Sequence, residues 1–335
     1  MDVEVQFMQN KILLIQPYFG KLPNYFPLWL DSAKRNDHID FLLLTDDKLQ
    51  VSLPSNVIYI KMTLTEFNEL ANNKLKTTVN LSKPYKICDL KPLYALIFDD
   101  FLKGYSHWGY FDLDMYFGDL RKFLTVEMLS TIPKIGVYAH LTIFKNEDDL
   151  NRMFLTGIKD FPYDLKEILM SPKNYNAGEM GGINIMYDLA GLRQSELPII
   201  DVDSKLKKWK AARVNAYYQM FYVNAGKTFM ITADKNKNVN IKEVAYIHYQ
   251  KRKIHDLEYI NFNQPFYFSE TGVLNFEMIE LEQILFNQSF PKGYLLFHRF
   301  IKIFKRGWKY ATGQANYPIK IRRMVAQWKK SQKLM

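Results

Sequence analysis

Two aspartates one residue apart, Asp112 and Asp114, end a short apolar run, Trp108-Gly109-Tyr110-Phe111, and are followed by Met115-Tyr116-Phe117-Gly118. Side chains alternate along a strand, so carboxylates two residues apart share one side, and the carboxyl end of a parallel strand is where α/β sheets bind ligands. Such a pair suits a hard divalent cation, Mn²⁺ or Mg²⁺, that keeps water and takes phosphate oxygens as further ligands. The triplet alone is weak evidence: a chain with 21 Asp in 335 residues carries about one by composition. A second triplet, Asp201-Val202-Asp203, precedes Ser204-Lys205 and reads as a solvated turn.

What must position the first pair is a sheet. Residues 11–15 read as a strand running into Gln16-Pro17-Tyr18-Phe19-Gly20, and the Trp-containing segment 25–33 as a helix. Residues 39–44 are continuously apolar, as a strand buried on both faces should be, and stop at Thr45-Asp46-Asp47. Residues 57–60 predict a third strand, 64–75 a helix capped by Thr63 or Thr65, and 85–102 a longer helix that tolerates Pro92. The aspartate pair comes next, with a helix expected after Gly118. Residues 135–139 and 182–187 read as strands around a variable lid or acceptor region, and 228–232 and 243–248 as two more, leading to His248-Tyr249-Gln250-Lys251-Arg252. The alternation predicts an α/β fold whose mainly parallel sheet is flanked by helices. Its divisions are expected at 1–255 for the catalytic domain, 256–290 for its completion and 291–335 for a basic helical extension.

Taken in order, Ile12-Leu-Leu-Ile15, Phe41-Leu-Leu-Leu-Thr-Asp46-Asp47, Tyr85-Lys-Ile-Cys-Asp89-Leu-Lys91-Pro92, Phe111-Asp-Leu-Asp114, Gly181-Gly-Ile-Asn184 and Ile247-His-Tyr-Gln-Lys251 resemble the GT-A nucleotide-sugar glycosyltransferases. The likeness is strongest to bacterial enzymes of polysaccharide, capsule and lipopolysaccharide assembly. It implies a Rossmann-like GT-A domain and transfer of a sugar from a nucleotide donor, UDP by family habit, to a glycan or lipid-linked acceptor. It also implies that Asp112 and Asp114 hold Mn²⁺ or Mg²⁺ and that His248 completes the metal site. Asp46 would accept a hydrogen bond from the base or ribose, with the loop 16–20 lining the same pocket. Lys86, Asp89 and Lys91 would grip phosphate and sugar hydroxyls, and Lys251 would face the departing diphosphate. The His248 segment lacks the Gly and Pro-Trp context of glycogenin-like relatives, and residues 140–174 match nothing in the pattern.

Glycosyl transfer needs an offset for the diphosphate's growing charge, a sugar pocket and a placed acceptor hydroxyl. An inverting enzyme adds a general base, and Glu179, in Ala-Gly-Glu-Met-Gly-Gly, is the candidate by its Gly-rich loop. The glycogenin-like parallel favours retention instead.

The formal charge of +10 is not a general nucleic-acid signal, because residues 292–335 hold 12 of the 45 Lys and Arg, and no acidic residue follows Glu282. In that tail Leu296, Phe300, Ile303, Phe304 and Trp308 fall on one helical face framed by Arg299, Lys302, Lys305, Arg306 and Lys309, a pattern suited to an anionic membrane surface or to packing on the body. Cys88 is the only cysteine, so no intrachain disulfide forms, and the apolar run 12–15 is too short for a signal segment or a span. A cytoplasmic protein, peripheral at the inner face of the plasma membrane, is the expectation. The competing classes are another metal-dependent nucleotide enzyme of nucleotidyltransferase type, a fold that binds sugar nucleotide without turnover, and a nucleic-acid or membrane binder acting through the tail. The nucleotidyltransferase reading lacks a Gly-rich first loop, and nucleic acid is not an expected partner.

Overall fold

The computed structural model describes residues 11–290 apart from Glu179, Met180, Lys205, Lys207, Lys253, His255, Asp256 and Thr271. Glu179 and the tail 291–335 therefore lie outside the described residues. A mixed seven-stranded sheet forms the centre. Strands β1 (Ile12–Pro17), β2 (Ile39–Thr45), β3 (Val57–Lys61) and β4 (His107–Phe111) run parallel in the order β3-β2-β1-β4. The sheet continues through β7 (Leu141–Lys145), antiparallel to β4, to β6 (Lys134–Ile135) and β8 (Gln194–Ser195).

All six residues of β1 are buried because both faces are covered. Ile12 and Leu14 join one core with Trp29, Phe41 and Phe111, while Leu13 and Ile15 join the other with Leu42, Leu44, Tyr94 and Phe98. Helix α1 (Phe26–Arg35) covers the first face. Helix α2 (Leu64–Leu75) covers the second and starts on a capping box in which Thr63 and Glu66 satisfy each other's backbone N–H groups.

Two smaller sheets complete the fold. β10 (Tyr218–Asn224), β11 (Lys227–Ala233), β12 (Val239–Val244), β14 (Phe266–Phe268) and β15 (Val273–Asn275) form an antiparallel sheet in the order β12-β11-β10-β14-β15. The third sheet, β5 (Met115–Phe117), β13 (Tyr246–His248) and β9 (Ile199–Asp201), ties the segment after Asp114 to the late part of the chain. Among the described residues no helix is long and apolar enough to cross a membrane.

Several elements depart from the sequence expectation. Residues 85–102 are not one helix but four short pieces, 3₁₀ turns at Pro84–Asp89, Lys91–Leu93 and Asp99–Leu102 and one α-turn at Tyr94–Ile97. Pro92 has no N–H to give the Cys88 carbonyl four residues back. That carbonyl instead accepts the amide of Gly178 at 3.2 Å. The expected strand 182–187 is a helix, Ile183–Leu189, because Ile183, Met186 and Tyr187 are buried at helical spacing. Of 135–139 only Ile135 is in a strand. The segment after the aspartates is strand β5, followed by a 3₁₀ turn, Leu120–Lys122, and a short helix, Val126–Thr131. The run 243–248 breaks at Ala245, where the chain leaves the antiparallel sheet and enters the third one.

Candidate metal centre

Asp112 and Asp114 leave the carboxyl end of β4 at the centre of the large sheet. Gly109 allows that strand to sit there, since a Cβ would lie 2.2 Å from the Thr142 carbonyl oxygen. The two carboxylates meet different surroundings. Asp112 has a side chain 31% exposed and accepts from the Lys91 ammonium at 2.8 Å. Lys91 is buried, with its Nζ 5.0 Å from the centre of the Tyr110 ring. Burial works against its charge, but the Asp112 carboxylate more than restores it and holds the pKa well above the usual lysine value.

Asp114 is 2% exposed. Its Oδ2 accepts the backbone N–H of Lys251 at 2.6 Å and lies 3.4 Å from His248 Nε2. Strand pairing makes this meeting: β13 runs antiparallel to β5, with His248 opposite Met115, and the Tyr249 amide donates to the Asp114 carbonyl at 3.0 Å. Gln250 and Lys251 then both take left-handed backbone conformations, φ +58° and +57°, and so turn the Lys251 amide onto the carboxylate. Ligand atoms of Asp112, Asp114 and His248 all lie within 4.8 Å of one another. Two carboxylate oxygens and an imidazole are a donor set compatible with a divalent cation, so the residues fit such an ion.

His248 is held on its other side. Nδ1 lies 3.0 Å from Asp201 Oδ1, which also accepts from Gln250 Nε2 at 2.6 Å. Burial disfavours a charged ring, yet the hydrogen bonds to Asp114 and Asp201 outweigh it and push the pKa of His248 up to about 9. Burial alone would raise both carboxylates; their bonds to His248 hold Asp114 and Asp201 below the usual range. The ring of His140 packs on that of His248, with centres 3.7 Å apart and planes at 31°. Burial, and then the neighbouring His248, lower the pKa of His140 to about 4, so at 4.0 Å from Asp201 it is a neutral neighbour and not an ion-pair partner.

Residues 14–277 match a family described as a family of unknown function, DUF6625. The chain belongs to that family. No curated protein matches the chain. The matched span contains Lys91, the aspartate pair, His140, Asp201 and the turn after His248, so the whole cluster is built from residues that the family pattern covers.

Other expected site residues stand elsewhere. Lys86 donates to Asp89 at 2.7 Å and to the carbonyls of Ile168 and Lys173, each at 2.6 Å, which uses all three of its protons. Asp89 accepts the amides of Tyr175 and Ala177. This buried pair clamps the chain before the Gly-rich loop, and the expectation that it grips phosphate or sugar is corrected. Lys91 does reach the cluster, through Asp112. Gly178 rests on it, since a Cβ there would meet the Cys88 carbonyl at 2.5 Å and Lys91 Cβ at 2.6 Å. Asp46 accepts from the Gly20 amide at 2.7 Å, and Asp47 from Leu22 at 2.8 Å, so the end of β2 ties down the loop after β1. Burial and then the Asp114 charge raise the pKa of Tyr18 and Tyr25, which places both near the cluster and keeps their phenols protonated. Lys251 serves the cluster by its backbone amide, while its Nζ lies 4.9 Å from the Tyr85 ring centre.

Sequence reasoning missed His140 and Asp201. The Asp201 triplet is not a solvated turn: Asp201 ends β9, opposite His248 in parallel register. The apolar Pro198-Ile199-Ile200 before it has the same strand-then-carboxylate form as Tyr110-Phe111-Asp112, and was the available signal.

Proposed function

We propose that this protein is a metal-dependent glycosyltransferase of GT-A type that uses a nucleotide sugar, with UDP the first nucleotide to try, and passes the sugar to a glycan or lipid-linked acceptor. One observation carries the reading: a carboxylate pair at the end of a central strand converges with an imidazole from the far end of the domain to within 4.8 Å. The mixed sheet with its ligand-facing strand ends supports it.

Asp112, Asp114 and His248 would hold the cation, which when bound supplies Lewis-acid charge to the donor's diphosphate. The chain's own residues do the rest. Asp112, partly exposed, faces the open side of the cluster, and buried Asp114 is fixed by the Lys251 amide and His248. Lys91 sets the position of Asp112 and brings positive charge next to the pair. Tyr18 and Tyr25 lie near enough to Asp114 to feel its charge. Asp46 keeps the first loop in place. Glu179, outside the described residues, stays the proposed base for an inverting reaction, on a loop whose Gly178 packs against Lys91.

The test is thermal unfolding with UDP, with and without Mn²⁺, on wild type and Asp114→Asn. A ligand that binds only the folded state raises stability, by about 2.7 kcal/mol at a hundred times Kd. A Mn²⁺-dependent rise that the substitution removes is expected. Silence with UDP and with the other nucleoside diphosphates overturns the reading.

A further inference from the structure

Asp201 has no place in the cation reading, yet it is the residue most closely engaged with His248. We propose that Asp201 is a positioning residue, holding the His248 imidazole with Nδ1–H toward itself and Nε2 toward Asp112 and Asp114. The proposal rests on the metal reading above and adds to it the group that orients a ligand.

The geometry begins in the backbone. β13 and β9 pair in parallel with His248 opposite Asp201, and the Val202 amide donates to the His248 carbonyl at 3.0 Å. Residues opposite each other in a sheet project to the same face, so the register brings carboxylate and ring together. Asp201 Oδ1 meets Nδ1 at 3.0 Å and is itself held by Gln250 Nε2 at 2.6 Å. When an ion takes the place of the Nε2 proton, a ring that donates Nδ1–H to a carboxylate presents the lone pair of Nε2 to it, and here Nε2 is the nitrogen on the Asp114 side, 3.4 Å from Oδ2. His140, stacked 3.7 Å away, closes one face of the ring against rotation.

A second metal among His140, Asp201 and His248 is the competing reading, since their ligand atoms also lie within 4.8 Å. The ring stack argues against it. Lone pairs lie in the ring planes, and two stacked rings inclined by only 31° direct theirs side by side instead of converging on one ion.

The experiment is Mn²⁺ binding by isothermal titration and electron paramagnetic resonance, on wild type, Asp201→Ala and the isosteric Asp201→Asn, together with ¹⁵N shifts of the His248 ring in the Mg²⁺ form. Wild type is expected to take one ion, with Nδ1 protonated and Nε2 facing it. Asp201→Ala is expected to bind roughly 10- to 100-fold more weakly with mixed tautomers, and Asp201→Asn, whose amide oxygen still accepts, to fall between them. Should the alanine variant not fold, the asparagine variant carries the same comparison. Unchanged affinity and tautomer in the variants, with wild type still binding, overturn the role of Asp201 alone. Two ions per wild-type chain overturn it in favour of the second metal. No binding of either ion by wild type overturns this proposal and the metal reading together.

Discussion

Asp112 and Asp114 are two residues apart, yet the first leans on a buried ammonium and the second on a backbone amide and an imidazole. Removing either carboxylate therefore does different damage. Asp112→Asn leaves the Lys91 charge buried without its partner, and should cost roughly 2 kcal/mol, less than a fully buried pair because Asp112 is partly exposed. Chemical denaturation of that variant, of Lys91→Met and of the double variant measures the coupling, and the double variant should recover part of the loss. Lys134 gives a pH test. It is fully buried, donates to the Gly136 carbonyl and Gln194, and burial lowers its pKa from the ordinary 10.5 to about 7. Below pH 7 it is charged in both states and the cost of burying that charge stands in full. Above 7 the folded protein releases the proton while the unfolded chain keeps it until 10.5, so this group makes stability rise across that window. The gain is at most roughly 5 kcal/mol. Lys134→Met should melt above wild type at pH 6, with the gap narrowing toward pH 10. At this scale the aspartate pair and His248 were legible, because their residue types state their chemistry. Asp201 and His140 were not, because what engages them is a neighbour 47 or more residues away in sequence.

The turn after β13 is the element that assembles the cluster. Two adjacent residues other than glycine in the left-handed region cost about 1–2 kcal/mol each, and such strain is kept only where the surroundings hold it. Since Lys251 meets Asp114 through its amide, Lys251→Gly should keep Mn²⁺ binding and be at least as stable as wild type to within about 1 kcal/mol. Lys251→Val, β-branched and ill-suited to φ +57°, should lose about 2 kcal/mol and bind Mn²⁺ more weakly. Melting curves and metal titration on the two variants separate backbone from side chain. Element types were legible where hydrophobic runs were long, as in β1, β2 and α2. They were misread at 85–102, which Pro92 divides, and at 182–187, whose buried residues follow helical spacing. A missing N–H divides the first segment, and Gly182 approaches the Ala177 carbonyl so closely that a Cβ would lie 2.0 Å from its oxygen. Gly182→Ala should therefore destabilise the protein by several kcal/mol, read by the same denaturation.

Across the whole molecule, the alternation of strands and helices gave away an α/β fold, while the three-stranded sheet escaped because its strands have three residues each and pair across long stretches of chain. The centre draws on Lys91, Asp112, Asp114, His140, Asp201 and the turn to Lys251, a span of 160 residues. That dispersion has a kinetic meaning. Contacts between remote segments form late, after the entropy of closing the intervening loops has been overcome, and interactions absent from the folding transition state act on the unfolding rate alone. A cation seated among these side chains should thus slow unfolding in stopped-flow or manual-mixing experiments and leave refolding at its metal-free speed, making it a lock on the finished fold and not a nucleus for it.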